Sequence, residues 1–169
     1  MISNKAKGLS SPAHIANSYH TWKEGEQLFK ELTGATDSSR GENINHIDFT
    51  LEGKKIDVKG LKRSQQNGYI LVEFLNVQGK AGWCSKHSQA THIAFQFPSE
   101  FIVVDKELLR EKVLELCGQY QEANRQLQAK VHGYPNVAYK YLGRKQREDV
   151  FVYIEVKHLY ELPHDKIKY

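Results

Sequence analysis

The chain has 169 residues, 40% of them hydrophobic and 26% charged, the balance expected of one globular domain with its own core. It has no run of about 18 apolar residues, which excludes a membrane-spanning helix, and residues 1–11 are polar where a signal peptide would be apolar. Cys84 and Cys117 cannot build a disulfide framework and suit a reducing, cytoplasmic location, while 24 Lys and Arg against 20 Asp and Glu give a net charge of +4, which permits a nucleic-acid partner without demanding one.

In chain order, residues 1–11 read as a flexible tail and 12–169 as a single domain. Ser11 and Pro12 start a helix, with Ser at the N-cap and Pro in the first turn. Ile15, Tyr19, Trp22, Glu26, Phe29 and Leu32 then recur at three- and four-residue steps until Gly34 stops the helix. Gly25 in its middle costs about 1 kcal/mol relative to Ala and marks a place for a break or kink. The period next changes to two. Ile44, Ile47, Phe49 and Leu51 predict a strand, Glu52, Gly53 and Lys54 a tight turn, and Ile56 and Val58 a second strand. After a turn over 65–68, residues 69–77 form the longest predicted strand, apolar on both faces and therefore expected at the centre of the sheet. Residues 79–89 read as a loop or short helix, 91–97 alternate again, and 101–104 are a short apolar run. Asp105 caps a helix through Leu108, Leu109, Val113 and Leu116, expected to continue in polar form towards Lys130. A loop rich in Gly, Tyr, Arg and Lys over 134–148 precedes a last strand, 150–156, and a short helical tail. The order of helix, three strands, short helix, strand and further elements predicts an α/β domain.

One constellation carries chemistry. With Ile47, Phe49 and Leu51 on one face of the first strand, His46, Asp48 and Thr50 fall on the other. With Ile56 and Val58 inward, Lys55, Asp57 and Lys59 fall together on the second. A hairpin turning at Glu52 and Gly53 then sets Asp48 beside the Asp57/Lys59 pair. Carboxylates so placed suit a hard divalent cation such as Mg²⁺ or Mn²⁺. A neighbouring lysine suits a water or a developing negative charge. His46 shares the face of Asp48 and reads either as a further contact to this group or as a surface histidine.

The pair His46-Ile47-Asp48 and Asp57-Val58-Lys59, preceded by a helix and followed by strands, resembles the PD-(D/E)XK nuclease superfamily. The resemblance covers residues 12–97. The stretch from Glu73 to Trp83 is also similar to a segment of small phage-type members. Ile47 stands where the name's pattern has proline. The resemblance implies a restriction-endonuclease-like core: a mixed sheet flanked by helices in the order helix, three strands, helix, strand, with a C-terminal helix and strand added. It implies a Mg²⁺- or Mn²⁺-dependent endo- or exonuclease acting on DNA and leaving 5′-phosphate ends. Asp48, Asp57, the Val58 carbonyl and a helix carboxylate would hold the metal, and Lys59 would position the attacking water. Acid-x-Lys triplets also occur at Glu52-Gly53-Lys54 and Glu155-Val156-Lys157, the latter with Asp149 upstream. The first straddles a turn, and only 12 residues follow the last, too few for the rest of such a core.

Glu26 is the favoured helix carboxylate, because a charge on an apolar stripe is costly unless paired or metal-bound. Glu24 and Glu31 stand behind it. Glu73 reads either as another site carboxylate or as a cross-strand partner of Lys59 or Lys55. Lys54, Lys55, Lys62 and Arg63 surround the hairpin. Lys140, Arg144, Lys145 and Arg147, interleaved with Tyr134, Tyr139 and Tyr141, form a candidate nucleic-acid surface; the alternative is a solvated loop with its tyrosines packed on the core. Cys84, His87, His92 and Cys117 match no closed zinc motif. The glycine-rich phosphate loop and the nucleophile elbow are both missing, so kinase, nucleotidase and serine-hydrolase readings lack their residues. The competing function is a non-catalytic nucleic-acid-binding or host-takeover interaction protein on the same fold. Oligomeric state stays open, a dimer included.

Overall fold

The computed structural model describes residues 18–169; the expected tail and the helix start at Ser11 and Pro12 lie outside them. The described elements are α1 (Ser18–Thr33), β1 (Thr36–Asp37), α2 (Arg40–Ile44), β2 (Phe49–Leu51), β3 (Lys54–Lys59), α3 (Arg63–Gln66), β4 (Tyr69–Leu75) and β5 (His92–Gln96). They continue with β6 (Glu100–Asp105), α4 (Lys106–Cys117), α5 (Ala129–His132), α6 (Tyr134–Val137), β7 (Val150–Glu155), α7 (Lys157–Glu161) and β8 (His164–Lys168). No described helix is long and apolar enough to cross a membrane.

Local chemistry sets the boundaries. Gly34, at φ 69°, ends α1 with its N–H on the Lys30 carbonyl at 2.9 Å, the left-handed termination that glycine tolerates best. Ser39 and Glu42 form a reciprocal capping box on α2. Glu52 and Gly53, at φ 51° and 78°, make the two-residue turn between β2 and β3, with Leu51 opposite Lys54. Asp105 caps α4 by accepting from the Leu108 N–H at 3.0 Å. That helix stops at Cys117, before the glycine at 118, and does not run on to Lys130.

Six strands form a mixed sheet in the order β1-β2-β3-β5-β6-β8, with β3 and β5 parallel and the other neighbours antiparallel. β4 and β7 pair antiparallel in a separate two-stranded sheet. Three expectations change here. The 69–77 segment is not the central strand: Ile70, Val72 and Phe74 are buried, while Tyr69, Leu71 and Glu73 are only half-buried on the other face. The centre belongs to β5, buried on both faces from Ile93 to Gln96. Residues 79–89 are the loop of the two readings, so the helix expected before the fourth strand of the core is absent between β4 and β5; the helical tail ends at Glu161, and β8 follows it to close the sheet edge beside β6.

The large sheet is covered on both faces. α1 lies on one, where Phe29 packs with Phe49, Ile56, Val58, Ala94, Phe101 and Val103. The β4–β7 sheet and α4 cover the other, where Ile93, Phe95, Ile102 and Val104 meet Ile70, Val72, Val152, Ile154, Leu109 and Val113. Gly25 is a contact point and leaves α1 unbroken: a Cβ there would lie 2.6 Å from Gln96 Oε1 and 2.8 Å from Gly60 Cα. Only glycine lets α1 sit this close to the ends of β3 and β5.

Candidate functional site

The close approach at Gly25 brings the next residue, Glu26, to the end of the β2–β3 hairpin. Asp48 lies just before β2, where the backbone N–H still pairs with the Ile56 carbonyl at 2.8 Å. Its Oδ2 accepts from the Val58 N–H at 2.8 Å, which fixes the carboxylate against the β3 edge. In a strand the N–H and C=O of one residue leave by the same edge, so the Val58 carbonyl is turned towards Asp48 as well. Asp57 follows one position earlier on β3, only 4% exposed. Its Oδ1 pairs with Lys59 Nζ at 2.9 Å, and its Oδ2 is buried with no hydrogen-bond partner. Lys59 Nζ in turn lies 5.1 Å from the centre of the Trp83 ring.

Electrostatics records the convergence. Burial pushes the Glu26 carboxyl up to about 8, and a hydrogen bond to Asp48 with the nearby charges of Asp48 and Asp57 adds to the shift. The site thus favours the protonated form of Glu26, hydrogen-bonded to Asp48. Burial also pushes Asp57 up to about 6, against the pull of Lys59. Among the described residues no three His, Cys, Asp or Glu side chains are gathered closely enough to hold an ion as they stand. The Val58 amide holds Asp48 and the Lys59 ammonium holds Asp57. The donor set still fits a cation in kind: hard carboxylate oxygens, one of them buried and unsatisfied, with Glu26 hydrogen-bonded to Asp48 and within reach of the charge of Asp57.

The other expected residues divide. His46 sits in a turn at φ 65°, and its charge is felt by Asp57. The expected alternation also fails: Ile47 packs between the two sheets, while Phe49 packs under α1. Glu31 is exposed and accepts from Gln27 at 3.1 Å. Glu73 lies on β4, which does not pair with β3, so the cross-strand pairing with Lys59 or Lys55 does not form. Gly82 packs against the Glu73 backbone and Cγ, and the loop carrying it also delivers Trp83. Lys55 is exposed, and Lys54 pairs with Asp165 at 3.1 Å across the sheet surface. The rival triplet has no common site: Glu155 pairs with Lys157 at 3.0 Å, while Asp149 is held by arginines. Cys84 is buried and its thiol pushed up to about 12 by burial, with Cys117 raised to about 11; neither is poised as a metal thiolate.

Of the basic loop, Arg144 and Lys145 join Lys62 and Glu73 along a cleft of about 500 Å³. Lys140 is exposed and donates to the Asn136 carbonyl at 3.0 Å; Arg147 is exposed in the turn after Arg144. Arg63, at the start of α3, is near enough for Tyr134 to feel its charge. Tyr141 packs against Phe74, and Tyr139 bonds Glu155 at 3.0 Å, so these two tyrosines serve the fold. Sequence reading missed Arg125, which reaches Asp149 from a stretch with no periodic signal. Comparison of the chain with protein-family models, curated proteins and solved structures finds no match.

Proposed function

We propose that this protein is a divalent-cation-dependent nuclease of the PD-(D/E)XK type, hydrolysing phosphodiester bonds, with DNA the favoured substrate. The observation that carries the reading is a buried Asp57 oxygen left unsatisfied beside Lys59, with Asp48 fixed on the neighbouring Val58 amide and Glu26 hydrogen-bonded to Asp48. Burying such an oxygen without a partner costs free energy, and that arrangement is expected where a ligand completes the shell. The leading helix, the hairpin and the Asp57-Val58-Lys59 triplet support the resemblance drawn from the sequence, whereas the third strand, β4, lies in a separate sheet and no helix stands between it and β5.

Asp48, Asp57, Glu26 and the Val58 carbonyl would hold Mg²⁺ or Mn²⁺. Such a cation lowers the pKa of water and offsets charge on a phosphodiester. The chain's own groups supply the rest. Glu26 would give up its proton to solvent and serve as a carboxylate ligand. Asp57 anchors the Lys59 ammonium, and Trp83 limits its swing. Lys59 thereby holds its N–H donors where water and the non-bridging phosphate oxygens would gather, opposing the negative charge that grows as the bond breaks.

The test is cleavage of plasmid and single-stranded DNA with Mg²⁺, Mn²⁺ or EDTA. Wild type should cleave with metal only, and Asp57→Ala should lose at least about 1000-fold in rate. Full activity in Asp57→Ala overturns the assignment. Nucleic-acid binding that ignores EDTA, with no cleavage under either metal, would favour the non-catalytic alternative.

A further inference from the structure

We propose that the cleft beside the carboxylates is a single-strand subsite, which seats an unpaired polynucleotide segment between the aromatic outer face of the β4–β7 sheet and a row of cations. The inference rests on the nuclease reading for its purpose but on separate residues for its chemistry. The cleft encloses about 500 Å³, and its walls include Lys62, Lys130, Arg144 and Lys145 on one hand and Tyr134 and Tyr153 on the other. Tyr134 stacks on Tyr69 at 5.3 Å and meets Tyr153 edge-to-face at 5.0 Å, so the ring that borders the cleft is braced from behind. Cations neutralise phosphates, and braced rings receive bases; together they are the two halves of a single-strand binding surface.

Three features narrow the ligand. A space of this size suits about one or two nucleotides, whereas a duplex presents its bases already stacked, leaving none to lie on a tyrosine. Arg144 is also aimed in advance: buried Asp149 accepts from its backbone N–H at 2.9 Å and its Nε at 2.7 Å, while Arg125 Nη1 reaches the same carboxylate at 3.4 Å. One carboxylate, Glu73, lines the cleft; it offsets the adjacent Lys62 and offers an acceptor to exocyclic amines of a base. Lastly, the cleft adjoins the catalytic group. Lys62 feels the charges of Lys59 and Asp57 as well as those of Glu73 and Arg144, so a strand seated there leads towards the carboxylates.

Fluorescence anisotropy in EDTA, where cleavage is silenced, tests this with labelled oligonucleotides of roughly twelve nucleotides: single-stranded DNA, single-stranded RNA of the same sequence, and the blunt DNA duplex. At least one single strand should bind ten-fold or more tightly than the duplex, and the better of the two identifies the polymer. Tyr134→Leu should weaken that binding about five-fold or more. Lys145→Glu, an exposed position where folding is not at stake, should weaken it about ten-fold and flatten its salt dependence. Duplex binding equal to single-strand binding, or indifference to Lys145→Glu, overturns the proposal. A parallel cleavage assay with Mn²⁺ separates the two claims: single-strand preference without cleavage supports the cleft and sinks the nuclease, and cleavage with equal affinities does the reverse.

Discussion

Asp57 and Asp149 are both buried aspartates beside cations, at 4% and 0% exposure, yet their carboxyls are driven in opposite directions. At Asp149 burial pushes upward, but the Arg144 backbone N–H, the Arg144 guanidinium and Arg125 outweigh it, and the group is held below the usual carboxylate range. At Asp57 burial wins over a single ammonium, and the group rises to about 6. The difference is saturation. Asp149 spends its two oxygens on three donors, and Asp57 keeps one oxygen without any. A carboxylate whose lone pairs are filled by protein organises the chain around it; one left short keeps a place for something the chain does not supply.

The most damaging way to break the comparison leaves both aspartates in place. Gly25→Ala puts a methyl 2.6 Å from Gln96 Oε1 and 2.8 Å from Gly60 Cα. Neither can yield, because Gln96 is fully buried, with its oxygen accepting from the Leu61 N–H, and Gly60 offers backbone. α1 must lift, and Glu26 leaves Asp48. A displacement of about 1 Å at such a site costs on the order of 100-fold in rate, so cleavage should fall that far while the Asp149 cluster stays as it is. Single-turnover kinetics would measure it, and a rate unchanged from wild type would show that Glu26 contributes nothing.

Removing each aspartate's charge sharpens the contrast in stability. Asp149→Asn sets an amide where three donors converge, and should cost about 2 kcal/mol, or about 4–8 °C in melting temperature for a chain of this size. In Asp57→Asn the loss of the Lys59 pair is offset by relief from burying a charge, so stability should stay within about 1 kcal/mol of wild type. Thermal melts in EDTA would decide, and equal losses in the two variants would refute the distinction.

The hairpin was legible because its turn chemistry and its period of two are local: Glu52 and Gly53 adopt the positive φ angles the turn needs, and Asp57 and Lys59 follow at a fixed spacing. Glu26 could be singled out because a carboxylate on an apolar helix stripe is itself a signal. Other features are tertiary. Residues 69–75 looked central because apolar side chains fill both faces, but Tyr69 and Leu71 belong to an aromatic surface outside the sheet core. The strand His164–Lys168 is nearly all polar, as edge strands that resist further pairing tend to be, and so carried no strand pattern. His46, three residues before the strand, turns the chain at φ 65°, and the alternation of Ile47 and Phe49 is lost in a way the residue order does not show. The Asp149 arginine cluster joins residues 24 positions apart, without any spacing rule to announce it.

The smallest effect is a slope. Asp57 and Glu26 rise from ordinary values of 3.8 and 4.5 to about 6 and about 8. Between those limits the folded chain binds more protons at these groups than the unfolded chain. Their contribution to stability is thus fully present below about pH 4 and is lost as pH climbs to 8. Asp149, held low, has the opposite sign: its contribution is present above the ordinary value of 3.8 and is lost as pH falls through its folded pKa. His92, lowered chiefly by burial, gains stability with pH near neutrality, so the informative quantity is a difference between variants. In EDTA, Glu26→Gln should lose less melting temperature than wild type between pH 6 and pH 8. Asp149→Asn should decline in parallel with wild type across that interval. If Glu26→Gln declines as steeply as wild type, Glu26 holds no buried proton, and the cation that the three carboxyls are proposed to bind would have none to displace.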